Sequence, residues 1–250
     1  MKRILLIAVG VALLANAALV RAADVQFAVD RDSIGMNLFY SGTSIAVEGT
    51  VPEAAHVVVR FIGKIGEMTM KQKGRAMGLL WMNMNTLHFS NMPAVCLVGT
   101  SAPLAELGQA GEKLGLAGVA ESVVIEPASA DRRMLLPELL KLKKSEGLYR
   151  EDDGAVQLSP AKDGSQAFSA KVTVPSRLFP GDYSVEVFAV KDGAVVAQGV
   201  KPVTASLVGV PAFIANLAFN HGTWYGVLAS IIAILAGLIV GRIFQSKGGH

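Results

Sequence analysis

A run of apolar residues near the C-terminus constrains the fold of this chain most strongly. No Asp, Glu, Lys or Arg occurs from Val203 to Gly241, and most residues after Trp224 in this run are aliphatic or small. A helix of about 20 residues is roughly 30 Å long, which matches the hydrocarbon core of a bilayer. The sequence therefore predicts a membrane-spanning helix over residues 223–243.

The N-terminal segment, residues 1–22, has the three parts of a secretory signal peptide. Two basic residues precede an apolar stretch from Ile4 to Leu14, and small residues lead to a cleavage site after Ala22. Arg21, next to this site, leaves open the alternative of an uncleaved anchor. Together with the C-terminal span, this leader predicts that the main body of the chain lies outside the cytoplasm.

Charges beside the span predict its orientation. Arg242 and Lys247 follow the apolar run directly, and basic residues gather on the cytoplasmic side of membrane helices. We therefore expect the tail, 244–250, in the cytoplasm and the body in the periplasm, as in a single-pass protein of the inner membrane. The apolar segment 211–222 is predicted to lie along the outer interface of the bilayer.

Small residues form a stripe along one face of the predicted span. Ala229, Ala233, Gly237 and Gly241 recur every four residues, and small side chains let two helices approach closely in lipid. This stripe predicts helix packing, either with a membrane-protein partner or with a second copy of the chain. A plain anchor that is rich in Ala and Gly is the alternative.

The charge balance of the body argues against nucleic-acid binding. The full chain has 23 basic and 20 acidic residues, but three of the basic residues lie in the leader, and Arg242 and Lys247 lie at the cytoplasmic end. The exported part therefore has 18 basic and 20 acidic residues. A body without excess positive charge is not expected to bind nucleic acid.

The body, residues 23–210, has mainly the sequence patterns of β-strands. Short runs rich in β-branched and aromatic residues alternate with Gly, Pro and Asp turn signals, which is typical of an immunoglobulin-like β-sandwich. Asp192 and Gly193, between two alternating runs, predict a tight hairpin.

Two segments in the middle of the body, 103–117 and 132–149, have helical spacing instead. We interpret residues 103–149 as a helical insertion into the sandwich. The predicted fold is thus mainly β, with inserted helices and one C-terminal transmembrane helix. A boundary between two small domains near residue 150 is the alternative.

Methionines are concentrated in one part of the body, with six of the nine between Met68 and Met92. In an extended strand, residues two apart share a face, and thioether and imidazole groups are suitable ligands for Cu(I). Core packing and an adaptable partner-binding surface are the alternatives. The candidate copper ligands are Met68, Met70, Met82, Met84 and His88.

Basic residues alternate with these methionines. Lys71, Lys73 and Arg75 are predicted on the face of the strand opposite Met68 and Met70. Such a row can hold an oxyanion or lie near lipid headgroups. A solvated edge that discourages aggregation between strands is the alternative.

The sequence contains no motif for catalysis or for a resident cofactor. It lacks the G-x-S-x-G, H-E-x-x-H and C-x-x-C patterns and a glycine-rich phosphate loop, and its four histidines are dispersed. Cys96, the single cysteine, lies in an apolar run and is predicted to be a buried thiol. We therefore expect a protein that is not an enzyme and uses no cofactor.

Several strings of the chain are similar to one family of proteins. FYSGTSIAVEGTVPEAAHVVVRFIGK (39–64), MPAVCLVGTSAPL (92–104), FSAKVTVPSRLFPGDYSVEVFAVKDG (168–193) and the terminal span resemble the alphaproteobacterial-type transmembrane protein family. The resemblance implies an exported, C-terminally anchored protein of unassigned function. It also implies an accessory role in transport, beside sulfite-exporter-like permeases.

The sequence thus predicts a non-enzymatic, membrane-anchored periplasmic accessory or binding protein, and the resemblance implies that it assists a sulfite-exporter-like permease. The alternative function is a periplasmic carrier of copper or of an oxyanion, tethered to the membrane by its span.

Overall fold

The structure, a computed structural model, describes residues 23–76 and 79–245. The predicted leader and most of the predicted cytoplasmic tail lie outside these residues. The strands are β1 (Ala23–Asp24), β2 (Gln26–Val29), β3 (Ser33–Met36), β4 (Thr43–Pro52), β5 (His56–Gly63), β6 (Ile65–Ala76), β7 (Leu80–Pro93), β8 (Cys96–Thr100), β9 (Val124–Glu126), β10 (Tyr149–Asp152), β11 (Val156–Leu158), β12 (Ser165–Val174), β13 (Gly181–Lys191) and β14 (Ala194–Leu207). The α-helices are α1 (Gly108–Leu114), α2 (Leu116–Ser122), α3 (Arg132–Ser145), α4 (Val210–Asn220) and α5 (Gly222–Gln245), and a 3-10 turn at Leu104–Leu107 precedes α1.

Two sheets build the body. The main sheet has the strand order β1-β14-β13-β5-β8-β10, and β3 also pairs with β14. The second sheet has the order β11-β12-β4-β2, and all its pairs are antiparallel. Because β4 pairs with β12 and β5 pairs with β13, strands from before and after the inserted helices share both sheets.

The hydrophobic core lies between the two sheets and continues beyond the main sheet. Successive residues of a strand point to opposite faces, and Val57, Val58 and Val59 of β5 are all fully buried. The main sheet is therefore covered on both faces. Each valine side chain buried in this way stabilises the fold by roughly 1.5–3 kcal/mol.

The inserted helices contribute to this second cover. The Ala110 N–H of α1 donates to the Gly193 carbonyl in the β13–β14 turn (3.2 Å), and the Leu116 N–H of α2 donates to the Glu151 carboxylate of β10 (2.6 Å). Leu107, Leu114, Leu116 and Val119 belong to the buried core.

The predicted fold class is confirmed in its main features. The chain is mainly β, with helices between two groups of strands and one long apolar helix at the C-terminal end of the described residues. The immunoglobulin-like arrangement is not confirmed: immunoglobulin-like sheets are antiparallel, whereas β1 and β3 pair parallel to β14, and β10 pairs parallel to β8.

The predicted hairpin at Asp192 and Gly193 is confirmed. Lys191 pairs with Ala194, so these two residues alone form the loop. Both have positive φ angles, 52° and 75°. A two-residue turn of this kind matches the twist of the strands that it joins, and Gly adopts it without steric cost.

A long hairpin, β6 with β7, forms a third sheet together with the short strand β9. We call this hairpin the arm. The chain reverses between Ala76 and Leu80, so Met68 and Met70 lie on one strand and Met82 and Met84 on its neighbour. Helix α3 lies against one part of the arm.

Helices α4 and α5 follow β14 after a connection of only two residues. Gly222–Phe244 is a 23-residue stretch with a mean hydropathy of 2.5, and none of its most apolar part is buried within the chain. This is the one helix in the described part of the chain that is long and apolar enough to cross a membrane. It coincides with the predicted span.

Candidate functional site

The arm has two chemically different faces. Residues that pair across two antiparallel strands point to the same side. On the first face, Met68 pairs with Phe89 and Met70 pairs with Leu87. We call it the apolar face. On the opposite face, which we call the basic face, Lys71 pairs with Thr86, and the neighbouring pairs include Thr69 with His88 and Lys73 with Asn83.

The apolar face is divided into a covered and an uncovered half. In the covered half, Leu87 and Phe89 are buried, and Met70 lies beside them. Leu135 and Leu139 of α3 line the same cleft as Met70, Leu87 and Phe89, so α3 lies over this half of the face.

The uncovered half lies beyond a bulge in the β6–β7 pairing next to Gln72. Leu80, Met82 and Met84 are 69%, 51% and 52% exposed there. Met84 lies over Gly74, where a Cβ atom would come within 2.6 Å of the methionine Cγ. The glycine therefore lets Met84 lie flat against the backbone of β6.

The basic face carries the predicted row of cations. Lys71, Lys73 and Arg75 are exposed on the side opposite Met70, as the alternation predicted. The Lys71 ammonium donates a hydrogen bond to the Thr86 hydroxyl (2.7 Å). Oxyanion binding by this row stays a prediction.

The structure does not bring the five candidate copper ligands together. Met68 and Met70 are half-buried near the base of the arm, whereas Met82 pairs with Gly74, four residues further along β6 than Met70. Four residues of strand correspond to roughly 13 Å, which is too far for one metal ion.

The fifth candidate ligand, His88, lies on the basic face, where its Nδ1 is 3.1 Å from the Thr69 hydroxyl. Met84 is on the apolar face, across the sheet from this imidazole. Within residues 23–76 and 79–245, no group of three or more His, Cys, Asp or Glu side chains is placed to hold a metal ion. Copper binding therefore stays a prediction, without a preformed five-ligand site to support it.

Cys96 is fully buried, as the sequence predicted. Burial raises the pKa of its thiol to about 12, because the thiolate would lose its hydration in the core. At neutral pH the group is therefore a protonated thiol, which is neither a nucleophile nor a ready metal ligand.

Helices α4 and α5 enclose an apolar groove where they meet. Ile214 and Leu217 of α4 face Leu228 and Ile232 of α5 across this groove. Helix α4 is itself apolar and has no buried residue. Together, the two helices form a continuous apolar surface next to the body.

Comparison with known families identifies a relationship over nearly the whole chain. A family model described as "Putative transmembrane protein (Alph_Pro_TM)" matches residues 24–246. The chain belongs to this family. The resemblance found in the sequence is thus confirmed, and no curated protein is significantly similar to the chain.

As a member of this transmembrane family with one long apolar helix, the protein is anchored in a membrane through its C-terminal part. The predicted helix-packing stripe on α5 then falls into two parts. Ala229 and Ala233 line the groove beside α4. A Cβ atom at Gly237 or Gly241 would meet nothing within 4 Å, so this part of the stripe is open in a single chain.

One end of the body leads directly into the membrane anchor. The last pair of β3 with β14 joins Met36 to Leu207, and the Val208 N–H donates to the Met36 carbonyl (3.0 Å). The first residue of β13, Gly181, pairs with Ala205. We call this end of the main sheet, from which the chain passes into α4, the exit end.

The arm begins at the exit end as well. Strand β5 runs antiparallel to β13, and its last residue, Gly63, pairs with Tyr183 near the start of that strand. The arm follows after Lys64. The sequence patterns did not predict this placement, although the neighbouring apolar residues Leu38 and Phe39 in a polar loop were a signal for an apolar contact at this end.

Proposed function

We propose that the protein is a non-enzymatic, membrane-anchored accessory protein that binds an integral membrane protein of the same bilayer through its arm. The observation that carries this proposal is the uncovered half of the apolar face, with Leu80, Met82 and Met84 exposed to solvent. The family resemblance favours a sulfite-exporter-like permease as the partner.

The covered half of the arm supports this function because it shows the same apolar face with another element, helix α3, packed over it. Leu135 and Leu139 of α3 line one cleft with Leu87 and Phe89 there, and both arm residues are buried. Adjacent exposed apolar side chains on a soluble surface indicate a contact site. Methionine suits such a site because its flexible thioether adapts to the shape of a partner.

Two features support a partner within the membrane. The arm starts at the exit end, next to the membrane helices. Gly237 and Gly241 of α5 are open to a second helix, and close approach at small residues is what associates helices in lipid. The proposed partner would contact both elements.

Photo-crosslinking in native membranes tests the partner. A benzophenone side chain replaces Met82, and a matched control variant carries it at His56, an exposed residue at the other end of β5. We expect an adduct with one integral membrane protein from position 82 and none from position 56. Equal adducts from both positions, or adducts only with lipid or with a second copy, would contradict the proposal.

The same experiment tests the role of the span. Replacing Gly237 and Gly241 with Leu blocks close helix approach while keeping the helix apolar. We expect the adduct from position 82 to weaken in this variant, whereas Ile234→Leu, a change of an exposed residue of the same helix, leaves it unchanged. If the adduct is undiminished, the span is not part of the interface with the partner.

The proposed orientation places the body in the periplasm and the C-terminus in the cytoplasm of a single-pass inner-membrane protein. Arg242 and Lys247 after the span support it through the positive-inside rule. A cysteine at Ser246 should be labelled by a membrane-impermeant maleimide only after the inner membrane is permeabilised. A cysteine at Glu53 should be labelled in intact spheroplasts, and the reverse pattern would contradict this orientation.

The carrier function stays as the alternative. Met82 and Met84 provide exposed thioethers, and Lys71 and Lys73 provide exposed cations. If a Cu(I) chelator outcompetes the purified protein completely, the copper-carrier function is excluded. Neutralising the basic face at Lys71, Lys73 and Arg75 should abolish sulfite or sulfate binding, and unchanged binding would exclude the basic face as the oxyanion site.

A further inference from the structure

The exit end of the body is held close to the bilayer by the connection between β14 and the membrane helices. Only Val208 and Gly209 separate the end of β14 from α4. Helix α4 lies against the first half of α5, the part that carries Trp224 and Tyr225. Because those aromatic residues are typical of the membrane interface, the chain is already at the level of the lipid when it leaves the body.

Two loops at the exit end present large apolar side chains to the outside. Leu38 and Phe39, after β3, are 66% and 85% exposed, and Phe179, before β13, is 66% exposed. Exposure of these three apolar side chains to water is unfavourable, and two of them are aromatic. Aromatic side chains are enriched where a protein meets the headgroup region of a bilayer.

The two loops are tied to each other and to the body. The Phe39 N–H donates to the Asn37 side-chain carbonyl (2.9 Å), and the Tyr40 hydroxyl donates to the Pro175 carbonyl of the second loop (3.3 Å). The Tyr183 hydroxyl donates to the Phe179 carbonyl (2.8 Å). These hydrogen bonds fix the backbones of both loops, so the exposed side chains are held in defined positions.

Nearby charges of this surface are balanced by opposite charges: Arg31, which lines a groove with Phe39, lies 2.9 Å from the Asp30 carboxylate. Arg177, in the second loop, lies 3.5 Å from the Glu146 carboxylate. The exposed residues Lys64 and Asp182, near the ends of β5 and β13, have opposite charges. A ligand of the exit end is therefore selected by its apolar and interfacial character rather than by its charge.

We propose that the exit end is a lipid-contacting surface, in which Leu38, Phe39 and Phe179 insert into the outer interfacial region of the bilayer that holds α5. The body then has a third attachment besides α4 and the span, and its height above the membrane is fixed. The arm, which starts at the same end, is held in a defined position relative to a membrane partner. This surface requires only the membrane anchor, and it stands whether or not the arm binds a permease.

Fluorescence quenching in vesicles without any other protein tests the proposal. The full chain, with Cys96→Ala and the exposed Ser41→Cys in the first loop, carries an environment-sensitive NBD group and is reconstituted at low density in phosphatidylcholine vesicles. The matched control carries the group at Glu53, at the opposite end of the body. We expect blue-shifted emission and quenching by nitroxide lipid at position 41 and neither effect at position 53.

A second variant makes the result specific for the three side chains. In the Leu38→Ser, Phe39→Ser and Phe179→Ser background, the label at position 41 should lose most of its quenching, while an unchanged melting temperature shows that the body is folded. Three results would overturn the proposal: equal quenching at positions 41 and 53, quenching that persists in the triple variant, and quenching that appears only when phosphatidylglycerol is added. Loss of the blue shift on dilution into more lipid would instead identify a second copy as the occupant and would also overturn it.

Discussion

The two halves of the arm's apolar face show how much a single covering helix changes. Phe89 and Leu87 in the covered half are buried under α3, whereas Met82 and Met84, on the same strand and the same face, are half exposed. Both halves have the alternating pattern of a strand with one apolar side. The halves differ in what packs on them: α3 lies beside the first, and the proposed partner would cover the second.

Thiol chemistry should give the largest contrast between buried and uncovered positions. Burial raises the pKa of Cys96 to about 12, so its thiolate fraction at pH 8 is roughly a thousandfold smaller than that of an exposed cysteine. In a Met84→Cys variant, maleimide should therefore label position 84 rapidly and Cys96 only after unfolding, as measured by mass spectrometry of digests. Labelling of position 84 as slow as that of Cys96 would show that position 84 is covered.

The raised pKa of Cys96 also has a consequence for stability. The unfolded chain releases the thiol proton near the ordinary cysteine pKa, while the folded chain keeps it until about pH 12. Above the ordinary cysteine pKa, the unfolded state therefore binds fewer protons than the folded state. The contribution of Cys96 to the free energy of unfolding falls as the pH rises. Removing the thiol with Cys96→Ala should flatten the loss of stability above pH 9 in denaturation curves.

Truncation in the covered half should be the most destabilising change in the arm. Phe89→Ala removes a buried aromatic side chain and leaves a cavity under α3, and such changes cost about 3–5 kcal/mol. Urea denaturation measures the loss. A loss below about 1 kcal/mol would show that α3 does not stabilise this half of the arm.

A change at the N-terminus of α3, the helix over the covered half, should have a smaller effect on stability. Asp131 is the N-cap of α3, and its carboxylate accepts hydrogen bonds from the Arg133 N–H (3.0 Å) and the Met134 N–H (3.4 Å). Asp131→Ala should destabilise the protein by about 0.5–2 kcal/mol. Asp131→Asn should restore most of this stability, because an amide oxygen also accepts these bonds.

The uncovered half should give the smallest effect on folding and the clearest effect on binding. Met82→Ala with Met84→Ala should change the free energy of unfolding by only about 0.5 kcal/mol, because both side chains are half exposed. The crosslinked adduct from a label at Leu80 should nevertheless be lost. A large loss of stability would mean that these methionines already pack within the chain.

Local alternation was sufficient to predict several features of the arm. Residues two apart on a strand share a face, so the opposite positions of Met70 and Lys71 followed from their spacing. The reversal of the chain before Leu80 was missed, because no Asn-Gly or Asp-Gly signal marks it. That reversal and the bulge next to Gln72 decide how far Met70 lies from Met82, and they place His88 on the basic face.

The exit end could not be predicted from the sequence, because it depends on strand order. Phe39 and Phe179 are 140 residues apart, and they lie at one end of the body only because β3 and β13 both pair with the last part of β14. Sequence patterns also gave no sign of the parallel pairing of β3. Register over such separations is set by the packing of the whole body.

The sequence by itself determined that the chain is membrane-anchored and mainly β, because the length of an apolar helix and the two-residue period of a strand are local properties. Only the tertiary structure decided which apolar residues are covered and which lie together: Phe89 is buried beside α3 while Met84 is exposed, and the pairing of β3 with β14 brings the loop of Phe39 to the end of the sheet from which α4 follows. Burial depends on which distant segment packs on a face, and that is a property of the complete fold.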